Sequence, residues 1–157
     1  MRMTRECDYA FVALVFLAGR GEATVISCEE MARELAIPED FLAKILQKLS
    51  RAELIVSKQG PRGGYSVSRN PSEISFADVF RAIDDPMRLV ECVEIEECRC
   101  PRVLVCAIIE TMLALHEKVM ANFERLTVAD LVPSSDQRSS LAHARESAAL
   151  GIREGAP

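Results

Sequence analysis

The chain has 157 residues, of which 49% are apolar, and its formal net charge is −5. This length suffices for one domain with an appended element, and no apolar run approaches the ~20 residues that a membrane-spanning helix needs. The first residues lack the pattern of a signal peptide, so we expect a cytoplasmic protein that does not contact membranes.

The first half of the sequence predicts a helix-turn-helix. Apolar residues recur every three or four positions from Thr4 to Ala18, which indicates an amphipathic helix that ends at Gly19-Arg-Gly21. Ser27-Cys-Glu-Glu30 has the pattern of a capping box and begins a short helix. After the tight connection Ala36-Ile37, a second helix runs from Pro38 to about Arg51. Two such helices, the second basic on its exposed side, are typical of a helix-turn-helix.

A β-hairpin is predicted directly after the second helix. The first strand begins at Leu54, and the turn Gln59-Gly-Pro-Arg-Gly-Gly64 leads to a return strand at Tyr65-Ser-Val-Ser. A hairpin that follows a helix-turn-helix is a wing. Arg62 at its tip is suitably placed for a phosphate or a minor groove.

Positive charge is concentrated in this region. Residues 1–70 have a net charge of +1, whereas residues 71–157 have a net charge of −6. Between Pro38 and Arg69 there are three acidic residues and six basic ones, namely Lys44, Lys48, Arg51, Lys58, Arg62 and Arg69. Such a local basic patch favours contact with phosphate, and a solvated charged face is the alternative.

The second half of the sequence predicts a short helix and a long one. Ser75-Phe-Ala-Asp78 begins a helix that reaches about Ile83, and a long helix starts near Leu104. The long helix has a heptad-like seam formed by Val105, Ile108, Met112, Leu115, Val119, Asn122 and Leu126. In a small chain such a seam indicates pairing with a second chain, and packing on its own subunit is the alternative. Thr127 caps a last turn, and a tail without an apolar face follows Pro133.

Four of the six cysteines, Cys92, Cys98, Cys100 and Cys106, lie in one segment between these helices. In a cytosolic protein such a group favours metal binding or redox chemistry over structural disulfides. An iron–sulfur cluster, a zinc site and a thiol–disulfide switch all remain open on these residues. Cys7 and Cys28 fall on or near apolar helix faces, so we expect them to be structural. With two histidines and no phosphate loop, the chain is not expected to be an enzyme.

These features together resemble the Rrf-type family of bacterial winged-helix regulators, which includes the iron–sulfur assembly regulator and the nitric-oxide-sensing repressor. The resemblance covers about Met1 to Leu131. Five segments carry it: Met1-Arg-Met-Thr-Arg-Glu-Cys-Asp-Tyr-Ala, the helix Ile37-Pro-Glu-Asp-Phe-Leu-Ala-Lys-Ile-Leu-Gln-Lys-Leu, the wing Ser57-Lys-Gln-Gly-Pro-Arg-Gly-Gly-Tyr, the run Ile74-Ser-Phe-Ala-Asp-Val-Phe-Arg-Ala-Ile, and the cysteines before a long helix.

The resemblance implies a mainly α fold with a small β-hairpin wing, that is, a winged helix-turn-helix plus a long dimerisation helix. We expect a DNA-binding domain at residues 1–83, a cysteine-rich sensor loop at 84–103, a dimerisation helix at 104–131 and a disordered tail at 132–157. The family further implies a homodimer that binds a roughly palindromic operator in double-stranded DNA.

By position, the resemblance assigns DNA contacts and cluster ligands. The expected DNA-binding residues are Leu42, Lys44, Gln47, Lys48, Lys58, Arg62, Gly63, Gly64 and Tyr65. The expected ligands of a 4Fe–4S or 2Fe–2S cluster are Cys92, Cys98 and Cys106, with Cys100 as an alternative ligand and Asp8 of the partner subunit as a further one. The histidine that some members place just after the last cysteine is absent, since Ala107-Ile108-Ile109 stands there.

Two alternatives keep the winged helix and change its use. In one, the same DNA-binding dimer responds through a thiol–disulfide or zinc switch. In the other, a protein partner controls the winged helix or takes the place of DNA. The basic residues Lys44, Lys48 and Arg62 and the intact wing turn favour DNA over the second alternative.

Overall fold

A computed structural model describes residues 3–21, 24–60, 63–83 and 100–133. The predicted tip residue Arg62, the predicted ligands Cys92 and Cys98, most of the sensor loop and the predicted tail from residue 134 onwards lie outside the described residues. The described helices are α1 (Arg5–Arg20), α2 (Cys28–Leu35), α3 (Glu39–Arg51), α4 (Phe76–Ala82), α5 (Ile109–Arg125) and α6 (Val128–Leu131), and the strands are β1 (Ile55–Lys58) and β2 (Gly64–Val67). Short 3₁₀ turns lie at Pro71–Glu73 and Val103–Val105.

Side-chain caps fix where the helices begin. The Thr4 hydroxyl accepts a hydrogen bond from the Cys7 amide at 3.2 Å, and Ser27 accepts from the Glu30 amide at 3.1 Å. At α4 both bonds of a capping box are present, which confirms the prediction from Ser75-Phe-Ala-Asp78. Each bond satisfies an amide that would otherwise lack a partner in the first helical turn.

The core lies between α1, α2, α3, the hairpin and α4. Helix α1 packs against α2, α3, α4, α6 and β2. The largest fully buried side chains are Leu14, Leu17, Met31, Leu42, Ile45, Leu46, Leu49, Leu54, Ile55, Ile74, Val79 and Val128. Since Val128 belongs to α6, the end of the described chain returns to the core of the helix-turn-helix.

The hairpin is antiparallel, with Ile55 opposite Val67 and Lys58 opposite Gly64. A further backbone segment pairs with the hairpin, since Ile26, just before α2, forms an antiparallel bridge with Tyr65. The Tyr65 amide donates to the Ile26 carbonyl at 2.8 Å, and the Ile26 amide donates to the Tyr65 carbonyl at 3.0 Å. The wing is therefore attached to the entrance of the helix-turn-helix.

The long helix begins later than the sequence predicts. Residues 103–105 form a 3₁₀ turn, and α5 starts at Ile109. Leu104 and Val105 are 92% and 80% exposed, so packing does not extend the helix into this segment. Its valines are also weak helix formers. Two members of the predicted seam, Val105 and Ile108, consequently precede α5.

Within the described ranges the chain is mainly helical with a two-stranded antiparallel hairpin, as the sequence predicts. A search of these ranges finds no helix that is both long and apolar enough to cross a membrane.

Candidate DNA-binding surface and cysteine segment

A left-handed residue makes the turn between α2 and α3. Ala36 has φ 54° and ψ 39°, and the following amide, that of Ile37, donates to the Ala32 carbonyl at 3.1 Å. Ile37 is buried, which anchors the turn on the core. This short connection fixes the orientation of α3 relative to α2 in the helix-turn-helix.

Helix α3 presents one polar stripe to solvent. The predicted residues Lys44 and Gln47 are exposed, and Asp40 and Arg51 continue the same stripe one turn to each side. The spacing of four, three and four residues keeps these side chains on one face, opposite the buried leucines and Ile45. Asp40 is not among the predicted residues, although the same spacing along the sequence places it on this face.

The assignment of Leu42 to DNA contact is wrong. Its side chain is 0% exposed and belongs to the core cluster. A side chain that fills the core cannot reach a base edge, so Leu42 supports α3 from behind.

Lys48 also differs from the expectation. Its ammonium Nζ lies 2.8 Å from Glu6 Oε1 and donates to the Ile83 carbonyl at 3.2 Å. The Lys48 and Glu6 side chains are only 31% and 30% exposed. Lys48 thus lies at the edge of the polar stripe and points back towards α1 and α4.

The wing carries four further predicted residues that the structure describes. Lys58 is exposed, whereas Gly63, Gly64 and Tyr65 are half-buried. A Cβ atom on Gly64 would lie 2.2 Å from the Ile26 carbonyl oxygen. Glycine is therefore required at this position by the close approach of two backbone segments.

Cys28, at the first position of α2, is a poor nucleophile. Burial raises the pKa of its thiol, and the nearby Glu39 carboxylate raises the pKa further. The pKa of Tyr65 is also raised, first by burial and then by Cys28. The thiol stays protonated at neutral pH, which supports the prediction that Cys28 is structural. Cys7 is 0% exposed in the core, in agreement with the same prediction.

Two cysteines of the predicted sensor segment are described. Cys100 and Cys106 are half-buried and flank the 3₁₀ turn that precedes α5. Asp8 is exposed near the start of α1. Within the described ranges, no three residues of the His, Cys, Asp and Glu types lie together as a metal site.

The match to a protein family decides the class of the chain. Residues 3–134 match the model of the Rrf2 family, described as an iron-dependent transcriptional regulator. The chain belongs to the Rrf2 family. Its members are DNA-binding transcriptional regulators and not enzymes.

Relatives support this membership. The chain is 37% identical to protein aau3 of Rhizobium meliloti (strain 1021) over 140 residues, which are 87% of this chain and 88% of the relative. It is 29% identical to the HTH-type transcriptional regulator NsrR of Geobacillus kaustophilus (strain HTA426) over 141 residues, 90% of this chain and 94% of the relative.

Solved structures share the fold. CymR (YrzC), the global cysteine regulator of B. subtilis, superposes with a TM-score of 0.68 at 22% identity, covering 84% of this chain and 96% of CymR. IscR of T. potens superposes with a TM-score of 0.63 at 19% identity, covering 84% of this chain and 86% of IscR. At these identities the likeness concerns the winged-helix fold.

Proposed function

We propose that this Rrf2-family regulator is a cytoplasmic sensor that holds an iron–sulfur cluster in its cysteine segment and adjusts its affinity for DNA to the state of that cluster. The observation that carries the proposal is the group of four cysteines, two of which lie beside the start of α5 at positions with access to solvent. The family description as iron-dependent supports it.

The chemistry of the described donors fits a cluster. Cys100 and Cys106 can supply thiolates, the ligands that iron–sulfur clusters prefer. Together with Cys92 and Cys98 they make four thiols, one more than the three ligands that we expect this loop to supply to a cluster. We propose Cys92, Cys98 and Cys106 as ligands, with Cys100 as the alternative and Asp8 of the partner as a further one. A bound cluster would supply a group that responds to redox state, oxygen or nitric oxide.

We propose residues 1–83 as the DNA-binding unit, 84–103 as the sensor segment, 104–131 as the dimerisation element and 132–157 as a tail. On the DNA-binding unit, Lys44, Gln47 and Lys58 are exposed on α3 and the wing, in agreement with a role in contacting DNA. We also propose that Arg62 of the wing turn contacts DNA.

A homodimer is the proposed form. None of the 17 residues of α5 is buried, although the helix is rich in apolar side chains. One side of α5 packs on α4. Leu115 in the middle of α5 is 46% exposed, and Leu126, just past the end of α5, is 42% exposed. An amphipathic helix must bury its apolar stripe, and the same helix of a second copy offers a matching surface. Two copies would present their α3 helices, which we propose as the recognition helices, to the two halves of a palindromic operator.

The cluster is tested by purification without oxygen, followed by an absorption spectrum and by counts of iron and sulfide per chain. We expect a coloured protein with stoichiometric iron and sulfide. Cys106→Ala should lose iron, whereas Cys28→Ala, which removes a protonated thiol on α2, should keep it. Asp8→Ala should leave a cluster that is lost more readily.

Three results would contradict parts of this proposal. If the protein remains colourless after anaerobic reconstitution and contains zinc, the cysteines hold zinc and not the proposed cluster. Disulfide formation between these cysteines without any metal would replace it by a thiol switch. Full iron content in Cys106→Ala would remove that residue from the ligands.

A further inference from the structure

The side chain of Lys48 connects three helices. It extends from α3, lies 2.8 Å from the Glu6 carboxylate on α1, and donates a hydrogen bond of 3.2 Å to the carbonyl of Ile83 at the end of α4. We call this arrangement of Glu6, Lys48 and Ile83 the Lys48 link.

The chemistry of the link suits a fixed orientation. Ile83 is the C-cap of α4, and the last carbonyls of a helix lack amide partners within it. A cation at this end is favoured by the helix dipole as well as by the hydrogen bond. Glu6 lies in the first turn of α1, where a carboxylate is favoured for the opposite reason. Lys48 therefore holds one helix start and one helix end against the recognition helix.

Both ends of the link are close in sequence to residues of the proposed sensor. Ile83 immediately precedes residue 84, where the proposed sensor segment begins. Glu6 is two residues from Asp8, the ligand proposed to reach the partner's site. A displacement of either neighbouring segment would thus act on α3 through the Lys48 side chain, in addition to the direct packing of α1 and α4 on α3.

We infer that Lys48 is a positioning residue that transmits the state of the cysteine segment to the DNA-reading face of α3. This inference rests on the proposed sensing function. Lys48 in this role does not contact phosphate, which separates it from Lys58 on the wing. Partly exposed ion pairs of this kind add little to stability, so orientation is the effect to be measured.

The experiment compares wild type with Lys48→Gln, Lys48→Arg and Lys58→Gln. The last is the matched control, because it removes one lysine charge from the exposed wing strand. The probe is a DNA duplex that the wild-type protein selects from a randomised library. Affinity is measured for cluster-loaded and cluster-free protein over a range of salt concentrations, and amide hydrogen exchange is followed in the cluster-free protein.

Three results are expected. Lys48→Gln should reduce the affinity ratio between loaded and cluster-free protein at least threefold, while the slope of log affinity against log salt stays unchanged. Lys58→Gln should keep the ratio and reduce the slope by about one unit, since one phosphate contact is lost. In cluster-free Lys48→Gln, amides at the end of α4 should exchange faster, and Lys48→Arg should restore part of the ratio because it keeps the charge.

A slope reduced by about one unit in Lys48→Gln would overturn the inference, because Lys48 would then contact phosphate. An unchanged ratio would also overturn it and leave Lys48 as a local brace. If cluster-loaded and cluster-free wild-type protein bind DNA with equal affinity, the proposed sensing function is wrong, and Lys48 has no signal to transmit. The salt slope and the hydrogen exchange would still show whether Lys48 faces DNA or α4.

Discussion

Neighbouring residues of α3 have different roles because the helical repeat turns their side chains in different directions. Lys44 and Gln47 point to solvent, Leu42 is buried, and Lys48 lies between these two environments. Four positions within seven residues thus belong to an exposed polar stripe, the core and an internal link. Only the residues of the stripe have the exposure that the proposed reading of DNA requires.

Gln47→Ala should change sequence preference without a general loss of affinity. A glutamine in the major groove can form two hydrogen bonds to an adenine, which contributes about 1–3 kcal/mol of discrimination against other bases. Since glutamine carries no charge, the salt dependence of binding should be unchanged. Library selection with wild type and variant measures this, and identical selected sequences would exclude Gln47 from base reading.

The sequence predicts the exposure of Lys44 and Gln47 well, because exposure follows from the spacing of apolar residues along one helix. It does not predict the Lys48 link. Glu6 and Ile83 lie 42 and 35 positions from Lys48 in the chain, and only the packing of α1 and α4 brings them to it. The family pattern places Leu42 among the DNA-binding residues, whereas the apolar spacing places it in the core.

Gly64→Ala should destabilise the protein and weaken DNA binding. The added Cβ would lie 2.2 Å from the oxygen and 2.5 Å from the carbon of the Ile26 carbonyl group, so the wing would have to separate from the segment before α2. We expect a loss of about 1–3 kcal/mol in the free energy of unfolding, as for other overpacked sites.

Gly19→Ala is the matched control for Gly64→Ala. Gly19 lies inside α1, and a Cβ there would meet no atom within 4 Å. Alanine should stabilise this helical position by about 0.5–1 kcal/mol. Urea unfolding of both variants measures the difference, and equal stability would show that the wing can move away from Ile26 at little cost.

At the scale of elements, an aromatic cluster attaches α5 to the winged helix. The Phe123 ring of α5 is stacked at 6.3 Å from Phe76 and lies 5.5 Å from Phe80, while Phe11 of α1 contacts both α4 rings. Arg81 of α4 and Glu124 of α5 form an ion pair beside the cluster. These contacts join the proposed dimerisation helix to the α4 segment that ends at the Lys48 link.

Phe123→Ala should loosen this attachment. Phenylalanine to alanine changes in protein cores cost about 3–5 kcal/mol, and Phe123 is half-buried, so we expect a loss of about 2 kcal/mol. Denaturant unfolding at one fixed protein concentration measures it, because dimerisation would make stability depend on concentration. Phe123→Leu keeps most of the apolar volume and should lose less. Equal losses in both variants would show that the ring contacts, and not the apolar volume, account for this stability, and no loss in Phe123→Ala would contradict the attachment.

The start of α5 shows why element boundaries were harder to predict than element types. The apolar spacing continues from Val105 through Leu126, but the helix begins only at Ile109. Periodicity records which side chains are apolar and not whether a surface is present to cover them. Among the residues that the structure describes, none covers Leu104 and Val105, and the backbone there forms a 3₁₀ turn.

At the scale of the whole molecule, the winged helix and α5 differ in how far their apolar side chains are buried. The winged helix has a closed core in which residues of α1, α3 and α6 are fully buried. By contrast, α5 has no buried residue, and exposed apolar side chains lie along it and before it. The subunit thus folds around the winged helix and leaves apolar side chains of α5 exposed, as the proposed dimer requires.

Leu115→Lys should separate the proposed dimer. Leu115 is 46% exposed in the subunit, so the lysine does not disturb the core, but in a paired seam it would bury a charge next to apolar side chains. Light scattering after size-exclusion chromatography should show a monomer where wild type is a dimer, with an unchanged circular dichroism spectrum. Operator affinity should fall by at least tenfold, because two linked recognition helices bind far more tightly than one. Glu117→Lys, on the opposite side of α5, should remain dimeric. A dimeric Leu115→Lys variant would place the contact between subunits elsewhere, and a monomeric wild-type protein would exclude the dimer itself.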